Sequence, residues 1–169
     1  MLELTVNDQG KEIALQFEHS LLALSKWEAK SKRPFMVARQ KTNAEMLDYY
    51  QCMLTSPEHD PNLVFRLKPS QMDELLEYIQ DPMSAATAPP DDGTQKRRHE
   101  DMTSDTIYMQ MVLLRIPFET QEWHVNRLMM LIAKTAHAQQ PEKKEPKGNL
   151  LSRWQEINQR NREHFKSKG

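Results

Sequence analysis

The densest set of side chains that could do chemistry in this sequence is Trp123-His124-Val125-Asn126-Arg127. On a helix His124 and Arg127 stand on neighbouring turns, so with Trp123 they could form a recognition patch with an aromatic anchor and a cation. The competing reading is packing. Trp123 would then sit in the core, while His124 or Asn126 satisfies backbone groups freed where Pro117 interrupts the chain. Elsewhere the reactive types are scattered. Histidines at 19, 59, 99, 124, 137 and 164 include no pair three or four residues apart, and Cys52 is the single cysteine, so no zinc-ligand spacing arises. There is no G-x-G-x-x-G, no G-K-[ST] and no G-x-S-x-G. Cys52, flanked by Gln51 and Met53 in a helical stretch, reads as a buried, inert thiol. Lys96-Arg97-Arg98-His99 lacks interleaved aromatics and reads as solvated loop charge rather than a nucleic-acid contact. The expectation is a protein without catalysis, cofactor or metal.

The stretch that must position Trp123 and its neighbours runs from Met102 to Ile132, the longest apolar-rich run in a highly charged chain. Ile107, Met111 and Leu114 recur at helical spacing. Met109, Val112, Leu113 and Ile116 widen that stripe until the segment is apolar nearly all round, which predicts a buried helix capped by Thr103. Pro117 removes a donor and pushes Ile116 out of the α region. Beyond it Trp123, Leu128, Leu131, Ile132 and Thr135 form a one-sided stripe, giving two helices around a proline elbow. Met109, Met111, Met129 and Met130 cluster here, and flexible thioethers suit either core filling or a surface that accepts varied apolar shapes.

The rest of the chain supplies supports. Leu2, Leu4 and Val6 alternate, Asn7-Asp8-Gln9-Gly10 is turn chemistry, and Ile13, Leu15 and Phe17 alternate again, which predicts a β-hairpin with one apolar face. Ser20 is placed to cap a helix with Leu21, Leu24 and Trp27 inward, ended by Pro34. Thr42-Asn43-Ala44-Glu45 has capping-box spacing ahead of Met46, Tyr49, Tyr50 and Met53. Leu63-Val64-Phe65 reads as a short strand or packed loop. Ser70 is expected to cap a helix with Met72, Leu75, Leu76 and Ile79 inward. Residues 83–101, rich in small residues, proline and charge, read as a mobile loop. After a polar linker, Leu150, Leu151, Trp154, Ile157 and Phe165 lie on the thin stripe of a C-terminal amphipathic helix.

These elements predict a mainly α fold with a small N-terminal β-hairpin, an α+β chain. A core domain would span 1–140, and a basic linker with an arm helix 141–169. Hydrophobic residues make up 38% of the 169, below the roughly 45–50% of typical globular chains, so part of the chain lies outside a core or a partner completes the burial. The net charge of −1 argues against a whole-molecule nucleic-acid or membrane binder. It conceals an asymmetry, because 141–169 carry +4 and the remainder −5. No apolar run approaches the roughly 20 residues of a membrane span, and the N-terminus LELTVNDQG has no signal-peptide pattern, which together predict a cytosolic protein.

The phrase IPFETQEWHVNRLMMLI at 116–132 resembles the signature of a family of bacteriophage tail assembly chaperones, whose members read close to IPFECQ-x-WHLNRL and carry a TSEIIYYWMIAL-like helix before it. Here that helix begins Thr103-Ser104-Asp105-Thr106-Ile107-Tyr108. A second block, LELTV at 2–6 and FEHSLLALSKWEAKSKRPF at 17–35, matches in the same order, so the resemblance covers most of the chain. It departs from the pattern at Thr120, where relatives carry Cys, and at Tyr108-Met109, where they carry an aromatic pair. The resemblance implies a non-catalytic morphogenesis protein of the host cytoplasm, absent from or minor in the virion. It would keep the long tape-measure protein soluble and organise tail-tube subunits around it, with homo-oligomers as a further form of association. Trp123, Arg127 and Met130, with Trp154 and Ile157 of the tail helix, are the expected partner-binding residues, because a small polar chain struggles to bury them. The competing class is a structural virion component, a connector or tail-completion protein, using the hairpin edge for sheet addition and the tail as an arm.

Overall fold

The computed structural model describes residues 1–37, 41–56, 59–87, 89, 102–139, 157 and 160. The chain divides into two compact units, Met1–Ala138 and Gln139–Gly169. The first is mainly helical with a two-stranded antiparallel hairpin, an α+β arrangement. Of the second, Ile157 and Arg160 are helical and exposed. Trp154, the basic cluster 96–99 and most of the loop expected at 83–101 lie outside the described residues.

Strands β1 (Leu2–Asp8) and β2 (Lys11–Phe17) pair from Leu2 opposite Phe17 to Asp8 opposite Lys11. They run two residues further into the turn than the alternation alone suggests, leaving Gln9-Gly10 as the two-residue connection. Both have positive φ, 51° and 86°, the backbone twist that matches a right-handed hairpin, and a glycine supplies the second at no steric cost. Asn7 Oδ1 accepts from the Gly10 N–H at 2.9 Å and closes the turn. Leu4, Val6, Leu15 and Phe17 are all buried on one face.

Helix α1 (Leu21–Ser31) starts where Ser20 Oγ accepts from the Ala23 N–H at 3.2 Å, and buries Leu21, Ala23, Leu24 and Trp27. Lys32 ends it in the left-handed region at φ 55°, after which Phe35 folds back and stacks on Tyr49 at 3.9 Å. Helix α2 (Asn43–Met53) carries the full capping box, Thr42 Oγ1 accepting from the Glu45 N–H and Glu45 from the Thr42 N–H. Its exit runs beside β2, where Thr55 N–H donates to the Gln16 carbonyl and Glu18 N–H to that of Met53. Leu63-Val64-Phe65 form neither strand nor loop but part of a 3-10 turn, Pro61–Arg66, begun by Asp60 and burying Leu63 and Val64.

Helix α3 (Pro69–Gln80) starts earlier than Ser70 suggests, with Lys68 at the N-cap and Pro69 in the first turn, where its missing N–H costs nothing. The capping acceptor is Gln71, whose Oε1 takes the Lys68 N–H at 3.0 Å while its Nε2 donates to the Thr5 carbonyl at 2.8 Å, tying α3 to β1. Leu75 and Tyr78 are the buried residues, and Leu76, expected inside, is exposed. Helix α4 (Ser104–Leu114) is capped by Thr103 and ended by Arg115 at φ 56°. Between Pro117 and helix α5 (Val125–Gln139) a 3-10 turn, Phe118–Glu122, replaces the simple elbow.

Candidate functional site

Glu28 on α1 sets where α4 begins. Its Oε1 accepts from the Phe35 N–H at 2.8 Å, and its Oε2 from both the N–H and the hydroxyl of Ser104, at 2.8 and 2.6 Å. A carboxylate at a helix N-terminus satisfies an orphan donor and suits the dipole. Held there, α4 turns Ser104, Ile107 and Met111 into the core. The opposite face is uncovered. Met109, Val112 and Leu113 are 53%, 59% and 69% exposed, and Phe118 just past the elbow is 51% exposed.

That face corrects the expectation of a helix buried all round. The methionine cluster divides with it: Met111 is core, Met109 is surface, and Met129 and Met130 on α5 are half-buried. Asp105, exposed and one helical turn before Met109, was the sign that this side looks to water. Tyr108 flanks the strip, its hydroxyl donating to Gln121 Oε1 at 2.9 Å and its ring 6.2 Å from that of Phe118.

In the Trp-His-x-Asn-Arg segment the packing reading holds for His124 and Asn126 but not for Trp123. His124 Nε2 donates to the Tyr78 carbonyl at 3.0 Å, and its Nδ1 accepts from the Asn126 N–H at 3.3 Å, which fixes a neutral tautomer. Asn126 Nδ2 donates to the carbonyls of Ile79 and Asp81 at 2.9 and 2.8 Å. These two side chains therefore satisfy backbone groups as the packing reading expects, but at the end of α3 rather than at the Pro117 elbow. Trp123 is not core. It is 37% exposed, and the Arg127 guanidinium lies over its ring at 4.4 Å, a cation–π contact. Together they line one side of a cleft of about 240 Å³ with Met83, Glu122 and Glu18. Met130 follows one turn along α5 and is half-buried.

Beneath this segment lies a buried group that the sequence barely announces. Val125 N–H donates to the His19 carbonyl at 2.7 Å, and the rings of His19 and His124 meet edge to face at 4.9 Å. His19 Nδ1 pairs with the Tyr49 hydroxyl, and the Tyr78 hydroxyl donates to Glu18 Oε1 at 2.7 Å, while Glu18 Oε2 holds the Met1 α-amino group at 2.9 Å. Burial, then the charge of His124, brings His19 down to about 3, and burial lowers His124 as well, so both rings are neutral near pH 7. Burial raises Tyr49 well above its ordinary value. The only outward signal was the polar Glu18-His19-Ser20 run at a strand-to-helix junction.

With both nitrogens of His124 engaged, the knot holds Phe17–Ser20 and Glu122–Asn126 together rather than offering a free base. Burial also pushes the half-buried Cys52 thiol up, so it is a poor nucleophile. Among the described residues no group of His, Cys, Asp and Glu is placed to hold a metal ion, and no helix is long and apolar enough to cross a membrane. The arrangement offers a rigid frame presenting two surfaces, the apolar strip of α4 and the Trp123–Arg127 pair. No protein-family model matches the chain, and neither does any curated protein or solved structure.

Proposed function

We propose that the protein is a non-catalytic assembly factor of the tail assembly chaperone kind. It covers the apolar stripes of a phage tape-measure protein and of tail-tube subunits in the host cytoplasm until they assemble. The observation that carries this reading is the uncovered strip Met109, Val112, Leu113 and Phe118. A long helical client exposes a stripe at the same 3.6-residue period, and helix-against-helix docking would cover both. Unbranched Met109 adapts to varied shapes, while Trp123 with Arg127 offers a planar, charged contact at the rim of such a surface. The virion-component reading draws on a free hairpin edge, and here the Thr5 carbonyl on β1 and the Gln16 carbonyl on β2 are already taken by Gln71 and Thr55. That favours the chaperone.

Co-expression with the tape-measure protein from the same genome, followed by size-exclusion chromatography with light scattering, tests it. The expected result is a soluble complex that Leu113→Glu disrupts while the variant stays folded. A client that remains insoluble beside abundant, folded protein would overturn the proposal.

A further inference from the structure

The α4 strip has a property that a client site does not require: its charges make it self-complementary. Asp105 stands exposed at its N-terminal end and Arg115 exposed at its C-terminal end, and neither has an ion-pair partner among the described residues. Between them lie Met109, Val112 and Leu113, at i, i+3 and i+4 on the solvent side. Ten residues of helix separate the two charges by roughly 15 Å.

We infer that α4 is a homodimer interface, two copies of the helix packing antiparallel about a two-fold axis near Gln110. In that register Asp105 of each copy meets Arg115 of the other, and the apolar residues between them interdigitate. A parallel arrangement would instead place Asp105 against Asp105 and Arg115 against Arg115. The isologous form is the commonest closed symmetry, and antiparallel helices also oppose their dipoles favourably.

The size of the patch sets the strength. Met109, Val112, Leu113 and Phe118 together expose on the order of 400 Å² of side chain, about half of the ~800 Å² that each partner of a standard interface buries. The dimer is therefore weak and concentration-dependent, and it shields the apolar strip when the protein is alone. This inference does not depend on the chaperone reading and needs no client.

The test uses the full chain and two charge reversals, Asp105→Arg and Arg115→Asp, followed by light scattering across a dilution series. The wild-type mass should rise from 19.9 kDa towards twice that value with concentration. Each reversal alone places like charges opposite each other at both ends and should weaken self-association about tenfold. Mixing the two variants in equal amounts restores both opposite-charge pairs across the two-fold axis, so a mixed dimer should reappear. Circular dichroism checks that each variant is folded; should a reversal unfold the chain, Asp105→Asn and Arg115→Gln replace it and should weaken the dimer to a smaller degree. A wild-type mass of 19.9 kDa at every concentration overturns the inference. So does a dimer indifferent to both single variants, or a mixture that associates no better than its components.

Discussion

The rings of His19 and His124, 105 residues apart in sequence, meet edge to face with centroids 4.9 Å apart inside the fold. Each belongs to a junction. His19 precedes α1 and His124 precedes α5, and backbone pairing between Ser20 and His124 locks the two junctions side by side. Glu18, Tyr49, Tyr78 and Asp81 and the Met1 α-amino group surround the pair.

Acid should open this junction. In the folded chain burial holds His19 at about 3, below its ordinary 6.5. The neutral ring is therefore the one the fold prefers. Its contribution is complete above pH 6.5 and is lost as the pH falls from there towards 3, at about 1.4 kcal/mol per pH unit for His19. Melting temperature measured by calorimetry should drop steeply between pH 6 and 4, and His19→Gln should flatten that slope even if it starts lower. An unchanged slope in the variant would place the acid sensitivity elsewhere.

Glu28→Ala should cost about 2–3 kcal/mol in denaturant unfolding, because it leaves the N–H groups of Phe35 and Ser104 without their charged acceptor. Hydrogen exchange locates the damage: the first turn of α4 should lose protection before α5 does. Uniform loss across the chain would mean that Glu28 is not what anchors α4.

The two faces of α4 should respond oppositely to substitution. Ile107→Ala, in the core, should destabilise by about 3 kcal/mol. Leu113→Gln, on the solvent side, should change the stability of the monomer by less than about 0.5 kcal/mol. Denaturant titration at low protein concentration separates the two, and a large loss for Leu113→Gln would mean that its side chain is covered after all.

Helix starts offer a sharper comparison. Thr42→Ala breaks a capping box and should cost about 1 kcal/mol. Ser70→Ala, the cap expected from sequence, should be nearly silent, whereas Gln71→Ala should cost about as much as Thr42→Ala because Gln71 binds both Lys68 and Thr5. Should Ser70→Ala prove the costlier of the two, α3 begins where the sequence suggests.

Much of the frame was legible because local chemistry decides it. The hairpin alternation, Ser20, the Thr42–Glu45 box and Thr103 all act within four residues of themselves. What escaped was decided at a distance. That Gln71 would cap α3 depended on the Thr5 carbonyl being there to hold its other end. The partners of His124 and Asn126 on α3 could be guessed as backbone groups but not located. The largest miss was α4, where composition alone predicts burial and only the supply of neighbours decides which side stays wet. Of the residues expected to bind a partner, Trp123 and Arg127 touch each other through a cation–π contact, while the buried knot under them left only a faint mark in Glu18-His19-Ser20.

The same knot orders events during synthesis. Glu18, His19 and Glu28 emerge from the ribosome well before the groups they bond or pack against, Tyr78, His124 and Ser104. Until residues near 125 have left the exit tunnel, Glu18, His19 and Glu28 lack these partners, so the junction cannot close in stages as the chain emerges. Contacts of such long sequence separation slow folding. A ribosome-stalled chain ending before His124 should therefore be degraded by added protease far faster than one extended past α5.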